Sequence, residues 1–287
     1  MRTPQLRRIE DFRHNKRMRK GMFILPSLFT AGNIGAGYFA IAQTIQATAT
    51  GDYSHFDLAS KAIGFAVFFD GMDGLIARMT NTASEFGKQL DSLADVITFG
   101  VAPALLAYSW GVRLTDAPFA DPELQSKLIQ LGGVITFLYL VAGASRLARF
   151  NIQANPQPSN PGRPGRKYFV GMAIPAGAGV IASLVHLAGG TPVTTWPATF
   201  AWMALVFSIG FLMVSTWRFY NPKNIDWRRQ RPFTTILLIA ALISAIWFFS
   251  KWVLFFMAMT YMLYGVFSRL AYVLRRSPSP TKAESAQ

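Results

Sequence analysis

The 26 residues from Asp70 to Asp95 read DGMDGLIARMTNTASEFGKQLDSLAD and lie between two apolar runs. The run LASKAIGFAVFF precedes them and VITFGVAPALLAYSW follows them. Apolar runs of this kind are typical of membrane or core helices, where an ionised carboxylate is costly unless a partner compensates its charge. Four aspartates at this position, with an arginine among them, therefore require such a partner.

The composition of the whole chain is that of a membrane protein. Of its 287 residues, 52% are hydrophobic and 15% are charged, and the apolar residues come in long runs. A helix needs about 20 residues to cross about 30 Å of hydrocarbon. Run length and periodicity predict an all-α integral membrane protein with about eight transmembrane helices, at 22–46, 57–77, 92–111, 127–149, 168–188, 196–216, 233–249 and 252–273. Only SKW separates the last two, which predicts a tight helical hairpin or one broken element.

Lysine and arginine are distributed unequally between the loops. On the eight-span topology, 24 of the 28 basic residues lie on one side, and the opposite side keeps Lys61, Arg113, Lys127 and Lys251. The positive-inside rule then places both termini and the aspartate segment in the cytoplasm, and the chain in the cytoplasmic membrane if it is bacterial. No aromatic-basic platform accompanies the net charge of +14, so we expect no nucleic-acid partner.

The chain divides into a membrane domain and two polar tails. Residues 1–21 are predicted to be a basic cytoplasmic tail that anchors on anionic lipid heads, because the apolar run after them is too long for a signal-peptide core. Residues 22–273 form the predicted transmembrane catalytic domain. Residues 274–287 are polar and rich in proline, which predicts a disordered cytoplasmic tail.

Helical spacing brings small and acidic side chains of the central segment onto shared faces. One helix face holds Asp70, Asp73, Gly74 and Ala77, and a second holds Gly87, Asp91 and Asp95. Carboxylates brought this close repel one another unless a cation sits between them, and hard oxygen ligands suit Mg²⁺ or Mn²⁺. The small residues let a bulky anion approach the backbone, and Arg78 can make a forked contact to a phosphate. The pattern favours phosphoryl chemistry.

The complete pattern resembles the signature of the CDP-alcohol phosphatidyltransferases, D-x₂-D-G-x₂-A-R-x₈-G-x₃-D-x₃-D, and matches it at all eight positions from Asp70 to Asp95. Three further stretches are similar to the branch of that family that uses serine as the acceptor alcohol. They are LPSLFTAGNIGAGYFAI in the first span, SRLARFN from Ser145 to Asn151, and KYFVGMAIPAGAGV from Lys167 to Val180. The resemblance implies the family's helical bundle and a homodimer.

The resemblance also implies a reaction and a set of residues. The serine hydroxyl attacks the diacylglycerol-linked phosphorus of CDP-diacylglycerol, giving phosphatidylserine and CMP, and Asp95 takes the hydroxyl proton. Two divalent ions, Mn²⁺ or Mg²⁺, are held by the four aspartates, of which Asp70 and Asp91 bridge the ions. The expected metal ligands are Asp70, Asp73, Asp91 and Asp95. The expected CDP-diacylglycerol-binding residues are Gly74, Ala77, Arg78, Ser84 and Gly87.

The acceptor pocket is predicted from charge. Serine carries a carboxylate, so its pocket requires a cation, and Arg146 and Arg149 lie at i and i+3 at the predicted cytoplasmic end of the fourth span. The alternative role for both is interfacial anchoring of a helix end. A phosphorylated acceptor such as glycerol phosphate or inositol phosphate would use a larger basic pocket, for which Arg163, Arg166 and Lys167 are available. A choline-like alcohol is a further alternative within the family.

Two hypotheses from other classes compete with catalysis. An ion or solute transporter also holds intramembrane carboxylates, but it needs polar residues at mid-membrane depth along several spans, whereas these acids gather at one cytoplasmic rim. A non-catalytic scaffold could keep the fold, but all eight signature residues are intact. The sequence therefore favours an enzyme.

Overall fold

The computed structural model describes residues 28–80, 85–116, 121–152, 159, 168–219 and 232–275, and it describes their side chains except at 72–80, 85, 232–236, 239 and 275. Within these ranges the chain is almost entirely helical. The helices are α1 (28–50), α2 (Ser54–Thr80), α3 (Glu85–Asp95), α4 (Ala102–Gly111), α5 (Pro122–Ile152), α6 (Ile174–Leu187), α7 (Trp196–Val214) and α8 (Pro232–Arg275). A π-helix at Val96–Val101 joins α3 to α4 without a break.

Among the described residues, four helical stretches are long and apolar enough to cross a membrane. They are Phe86–Gly111, Pro122–Ile152, Trp196–Val214 and Ala240–Leu274. Large apolar side chains are exposed along these and other helices, as at Phe65, Phe137 and Trp247. Exposed apolar surface of this extent is suited to contact with lipid. The count of eight spans stays a prediction.

The helices pack as a bundle in which α5 lies against α7, α2 against α6, and α6 against α8. Its core contains fully buried large side chains, among them Phe56, Phe99, Tyr139 and Ile181. The Tyr139 hydroxyl of α5 donates a 2.8 Å hydrogen bond to the Phe99 carbonyl in the π-helix. Wider π-type turns change the direction of the backbone carbonyls, and this bond holds one of them against α5.

The predicted span at 168–188 is corrected by the structure. Its first residues form strand β1 (Phe169–Val170), which pairs antiparallel with β2 (Arg218–Phe219), so the bundle is not strictly all-α. A turn at Gly171 then leads into α6, whose 14 residues rise only about 21 Å. Gly171 has a φ of 76°, and a Cβ there would lie 2.5 Å from the Met213 carbonyl oxygen. Both the left-handed backbone and the close approach require glycine.

The last two predicted spans belong to a single element with a break. α8 has one non-helical residue, Phe249 (φ −131°, ψ 36°), directly before the SKW that separated the two predictions. α8 continues to Arg275, two residues past the predicted end of the membrane domain at 273. The rest of the C-terminal tail and the whole N-terminal tail of 1–21 lie outside the described residues.

Candidate active site

Three aspartates of the opening segment converge in space. Asp70, ten residues before the end of α2, and Asp91 and Asp95 on α3 each offer a carboxylate oxygen, and these oxygens lie within 4.8 Å of one another. Asp70 and Asp91 are half-buried, and Asp95 is buried with 8% of its surface exposed. The spacing of four residues puts the two α3 aspartates on one helix face. The predicted convergence of these three carboxylates is observed, but not between two helix ends, because α2 continues to Thr80 and α3 runs on into the π-helix.

The remaining members of the signature are less fully described. The side chains of Asp73, Gly74, Ala77 and Arg78 and the whole of Ser84 lie outside the described residues. Gly87 lies on α3 one turn before Asp91 and is half-buried. The predicted roles of these six residues remain predictions.

A residue of α1 that the sequence analysis did not single out contacts the cluster. The side-chain amide of Asn33 is 2% exposed, and its Nδ2 donates a 3.5 Å hydrogen bond to Oδ1 of Asp95. The Asn33 backbone carbonyl accepts a 2.9 Å bond from the Thr98 hydroxyl in the π-helix. One turn later, a Cβ on Gly37 would lie 2.5 Å from Thr98 Oγ1, so the glycine permits the close approach of α1. The available signal was a polar residue inside the apolar run AGNIGAGYFA.

The two arginines predicted to bind the acceptor have different surroundings. Arg146 is 8% exposed, and its guanidinium interacts electrostatically with Asp95, Asp70 and Tyr261. Its Nε has no hydrogen-bond partner among the described residues. The buried Arg146 thus lies within electrostatic range of the acidic cluster.

Arg149, one turn further along α5, is bound to backbone. Its NH1 donates a 2.9 Å bond to the Val214 carbonyl at the end of α7. Its NH2 donates 3.4 Å bonds to the carbonyls of Val170 and Ser215. These contacts join three elements and engage three of the five guanidinium donors.

A hydrogen bond at the end of α5 sets the position of this helix relative to α3. The Asn151 side chain donates a 2.9 Å hydrogen bond to the Ser92 hydroxyl, next in sequence to Asp91. Because α5 is continuous from Arg146 to Asn151, this bond also constrains where Arg146 lies relative to the aspartates. Arg163, Arg166 and Lys167, which were considered for a phosphorylated acceptor, lie outside the described residues.

The donor set of the cluster fits a divalent metal. The three carboxylates have oxygen atoms within 4.8 Å of one another, and their negative charges repel. All the atoms that these carboxylates offer to a metal are oxygens. Mg²⁺ and Mn²⁺ prefer such hard oxygen ligands. Arg146 supplies one positive charge against three carboxylates, so the cluster has capacity for a further cation.

Comparison with known proteins agrees with this geometry. Residues 23–209 match the family described as CDP-alcohol phosphatidyltransferase. The CDP-diacylglycerol–serine O-phosphatidyltransferase of Helicobacter pylori is 33% identical over 224 residues, covering 77% of this chain and 82% of that protein. The Bacillus subtilis protein of the same name is 34% identical over 154 residues, covering 54% of this chain and 71% of its own length. The yeast protein of that name, from Saccharomyces cerevisiae, is 30% identical over 151 residues, covering 53% and 49% respectively.

The helical bundle and its acidic cluster define a membrane-embedded protein with the ligands for a hard divalent cation. The chain belongs to the CDP-alcohol phosphatidyltransferase family. Family membership and the four long apolar helices together make it an integral membrane protein.

Proposed function

We propose that this chain transfers the phosphatidyl group of CDP-diacylglycerol to the hydroxyl of L-serine, giving phosphatidylserine and CMP. The observation that carries the proposal is the convergence of Asp70, Asp91 and Asp95 in a chain of this family. The names of its bacterial and yeast relatives support serine as the acceptor. The buried, positively charged Arg146 beside the cluster suits an acceptor that carries a carboxylate.

The reaction exchanges one phosphorus–oxygen bond for another. The serine hydroxyl oxygen bonds to the diacylglycerol-linked phosphorus, and the bond from that phosphorus to the CMP oxygen breaks. Asp95 receives the hydroxyl proton, a role suited to a buried carboxylate whose orientation is held by Asn33. Because the lipid chains stay in hydrocarbon, the site has to lie where the membrane meets water, and we propose that it faces the cytoplasm.

Asp70, Asp73, Asp91 and Asp95 would hold the divalent ions of the proposal, two of Mn²⁺ or Mg²⁺. When bound, they supply positive charge that binds the pyrophosphate and stabilises the leaving CMP oxygens. The protein residues around them bind and orient the substrate. Gly74, Ala77 and Gly87 leave room for the nucleotide, while Arg78 and Ser84 contact it.

Arg146 is the proposed partner of the serine carboxylate. Its Nε is buried without a hydrogen-bond partner among the described residues, so a bound carboxylate would satisfy it. Arg149 contributes by holding the ends of α7 and β1 in place around α5.

A headgroup competition tests the proposed function. Purified protein receives CDP-diacylglycerol with equal amounts of L-serine, glycerol phosphate, inositol phosphate and choline, and the lipid products are identified by mass spectrometry. We expect phosphatidylserine as the dominant product, with one CMP released for each lipid formed. Another dominant phospholipid would assign a different acceptor within the same chemistry, and absence of any lipid product would reject the enzyme.

The proposed assembly is a homodimer with eight spans and both termini in the cytoplasm. Accessibility labelling of tags on Met1 and Gln287 tests the topology, and a tag inserted between Ala117 and Glu123 should label from outside. Native mass spectrometry in detergent tests the dimer. Labelling of the two termini from opposite sides, or a monomer under conditions that retain activity, would contradict the respective part.

A further inference from the structure

The side-chain amide of Asn33, which lies outside the signature, has a buried oxygen without a hydrogen-bond donor among the described residues. Its Nδ2 is bonded to Asp95, whereas its Oδ1 is buried and has no hydrogen-bond partner in the part of the chain that the structure describes. A buried acceptor left without a donor costs about 1–3 kcal/mol. Native proteins rarely retain such an atom unless a water, an ion or a ligand supplies the missing donor.

The position of this oxygen relates it to the acceptor alcohol. Oδ1 and Nδ2 are attached to one carbon, so Oδ1 lies beside the carboxylate that takes the hydroxyl proton. In serine, the hydroxyl and the ammonium are on neighbouring carbons. A serine whose hydroxyl meets Asp95 therefore brings its ammonium within reach of an acceptor next to Asp95. Arg146 on α5, which interacts electrostatically with Asp95, is available for the serine carboxylate.

We propose that Asn33 is a specificity-determining residue whose Oδ1 accepts a hydrogen bond from the ammonium of the acceptor. The inference rests on the proposed function and deepens it. Asn33 and Arg146 then recognise opposite charges of one zwitterion, and Asp95 between them receives the proton of its hydroxyl. Acceptors such as glycerol phosphate and inositol phosphate have no ammonium to satisfy Oδ1 and would leave it unpaired, which disfavours them.

The rigid mounting of Asn33 supports this role. Its backbone carbonyl is bonded to Thr98, which holds the backbone, and its Nδ2 is bonded to Asp95, which orients the side-chain amide. The close approach of α1 at Gly37 prevents α1 from moving away from the π-helix without loss of packing. An oxygen held in this way is oriented before the substrate arrives, which is what discrimination between similar acceptors requires.

The experiment compares serine with a serine analogue in three variants. L-Serine is assayed for kcat and KM, and 3-hydroxypropionate, which has the hydroxyl and carboxylate of serine but no ammonium, is assayed as a competitive inhibitor. Asn33→Leu removes the acceptor oxygen, Asn33→Asp keeps one, and Thr44→Val is the matched control. Thr44 is also a buried polar residue of α1, but its hydroxyl bonds within the helix to the Ala40 carbonyl.

We expect Asn33→Leu to raise the KM for serine about 10- to 100-fold, since hydrogen bonds to charged groups are worth this much. The inhibition constant of 3-hydroxypropionate should change less than about threefold, because the lost oxygen faces only the ammonium. Asn33→Asp should retain the preference for serine over 3-hydroxypropionate even where kcat falls, and Thr44→Val should leave both constants unchanged.

Several results would overturn the inference. An equal loss of affinity for both compounds, or a fall in kcat alone, would make Asn33 a residue that only positions Asp95. An increased Mg²⁺ requirement with unchanged discrimination would assign Oδ1 to the metal site. CDP-diacylglycerol binding is measured on each variant to identify a misfolded protein. If Asn33→Leu is misfolded, the comparison of serine with 3-hydroxypropionate in Asn33→Asp decides whether the inference holds. A wild-type protein that makes no phosphatidylserine would reject the proposed function instead.

Discussion

At the scale of single residues, Asp95 has neighbouring groups on three helices. Asn33 of α1 bonds to it, Arg146 of α5 interacts with it electrostatically, and Asp91 precedes it by one turn of α3. Its burial keeps bulk water away from the carboxylate, so any proton it accepts must come from a bound group. The same residue therefore combines a proposed base with a proposed metal ligand.

Asp95→Asn separates the two roles of this residue. At saturating Mg²⁺ or Mn²⁺ we expect kcat to fall by about 10² to 10⁴, the loss expected for a positioned general base, in a protein that remains folded. CDP-diacylglycerol binding, measured in parallel, should be retained under these conditions. Turnover close to the wild-type rate would leave Asp95 as a ligand alone and place the base elsewhere.

The two arginines of SRLARFN form a matched pair for mutation. Arg146→Gln should raise the KM for serine by about 10-fold or more, because a charge-assisted contact to the carboxylate is lost. Arg149→Gln should mainly lower the melting temperature in detergent, because its bonds to the carbonyls of Val214, Val170 and Ser215 are lost. Steady-state kinetics and thermal unfolding of both variants distinguish these effects. A large change in serine KM in Arg149→Gln alone would reverse the assignment.

At the scale of elements, α2, α6 and α8 are joined by a polar contact far from the aspartate cluster. Asp57 precedes Asp70 on α2 by a rise of about 20 Å. Its Oδ1 accepts a 2.5 Å bond from Nδ1 of His186 on α6, and its Oδ2 lies 2.8 Å from Nζ of Lys61. Nε2 of His186 lies 2.9 Å from the hydroxyl of Ser250, next to the break of α8 at Phe249. The contact holds the broken helix against α6.

His186→Ala should therefore destabilise the bundle without altering substrate recognition. The substitution removes the partner of Oδ1 of the partly buried Asp57, while Lys61 still pairs with Oδ2, and loss of such a partner costs about 1–3 kcal/mol. We expect a lower unfolding temperature with little change in the KM for serine. His55→Ala is the matched control, because His55 lies on the same end of α2 but contacts Gln43 and Asp52 at a more exposed position. Equal melting temperatures for the two variants would contradict the proposed contact energy.

At the scale of the whole molecule, the bundle brings three aspartates together among long apolar helices. Asp70, Asp91 and Asp95 are held together by the packing of α2, α3 and the π-helix. Without a cation these carboxylates repel one another and would repel the pyrophosphate of the substrate. Catalysis by the folded protein is therefore expected to depend on a divalent ion.

Chelation tests this dependence. Excess EDTA should abolish turnover, and Mn²⁺ or Mg²⁺ added beyond the chelator should restore it. Isothermal titration with the metal alone should show binding that Asp70→Asn weakens, since Asp70 would be one of the metal ligands. Full activity in excess chelator would remove the metal from the mechanism.

The spacing of residues along the chain was enough to predict several features of the fold and of the site. Apolar run length predicted the membrane bundle, and helical periodicity predicted that Asp91 and Asp95 share one helix face, because both depend on neighbours close in sequence. The signature predicted the family. Periodicity also predicted helix where residues 168–173 instead form β1 and a turn, since the strand depends on pairing with distant β2.

Only the tertiary structure decided which groups surround the reacting atoms. By spacing alone, Arg146 and Arg149 are equally suited to bind the acceptor. In the structure, Arg149 is bonded to carbonyls of α7 and β1, whereas Arg146 interacts electrostatically with the aspartates. Asn33 lies 62 residues from Asp95, and no local period connects them. Such contacts arise from helix packing, which depends on side chains of several helices at once. The physical reason is that a helix face is encoded locally, whereas its neighbour is selected by the whole bundle.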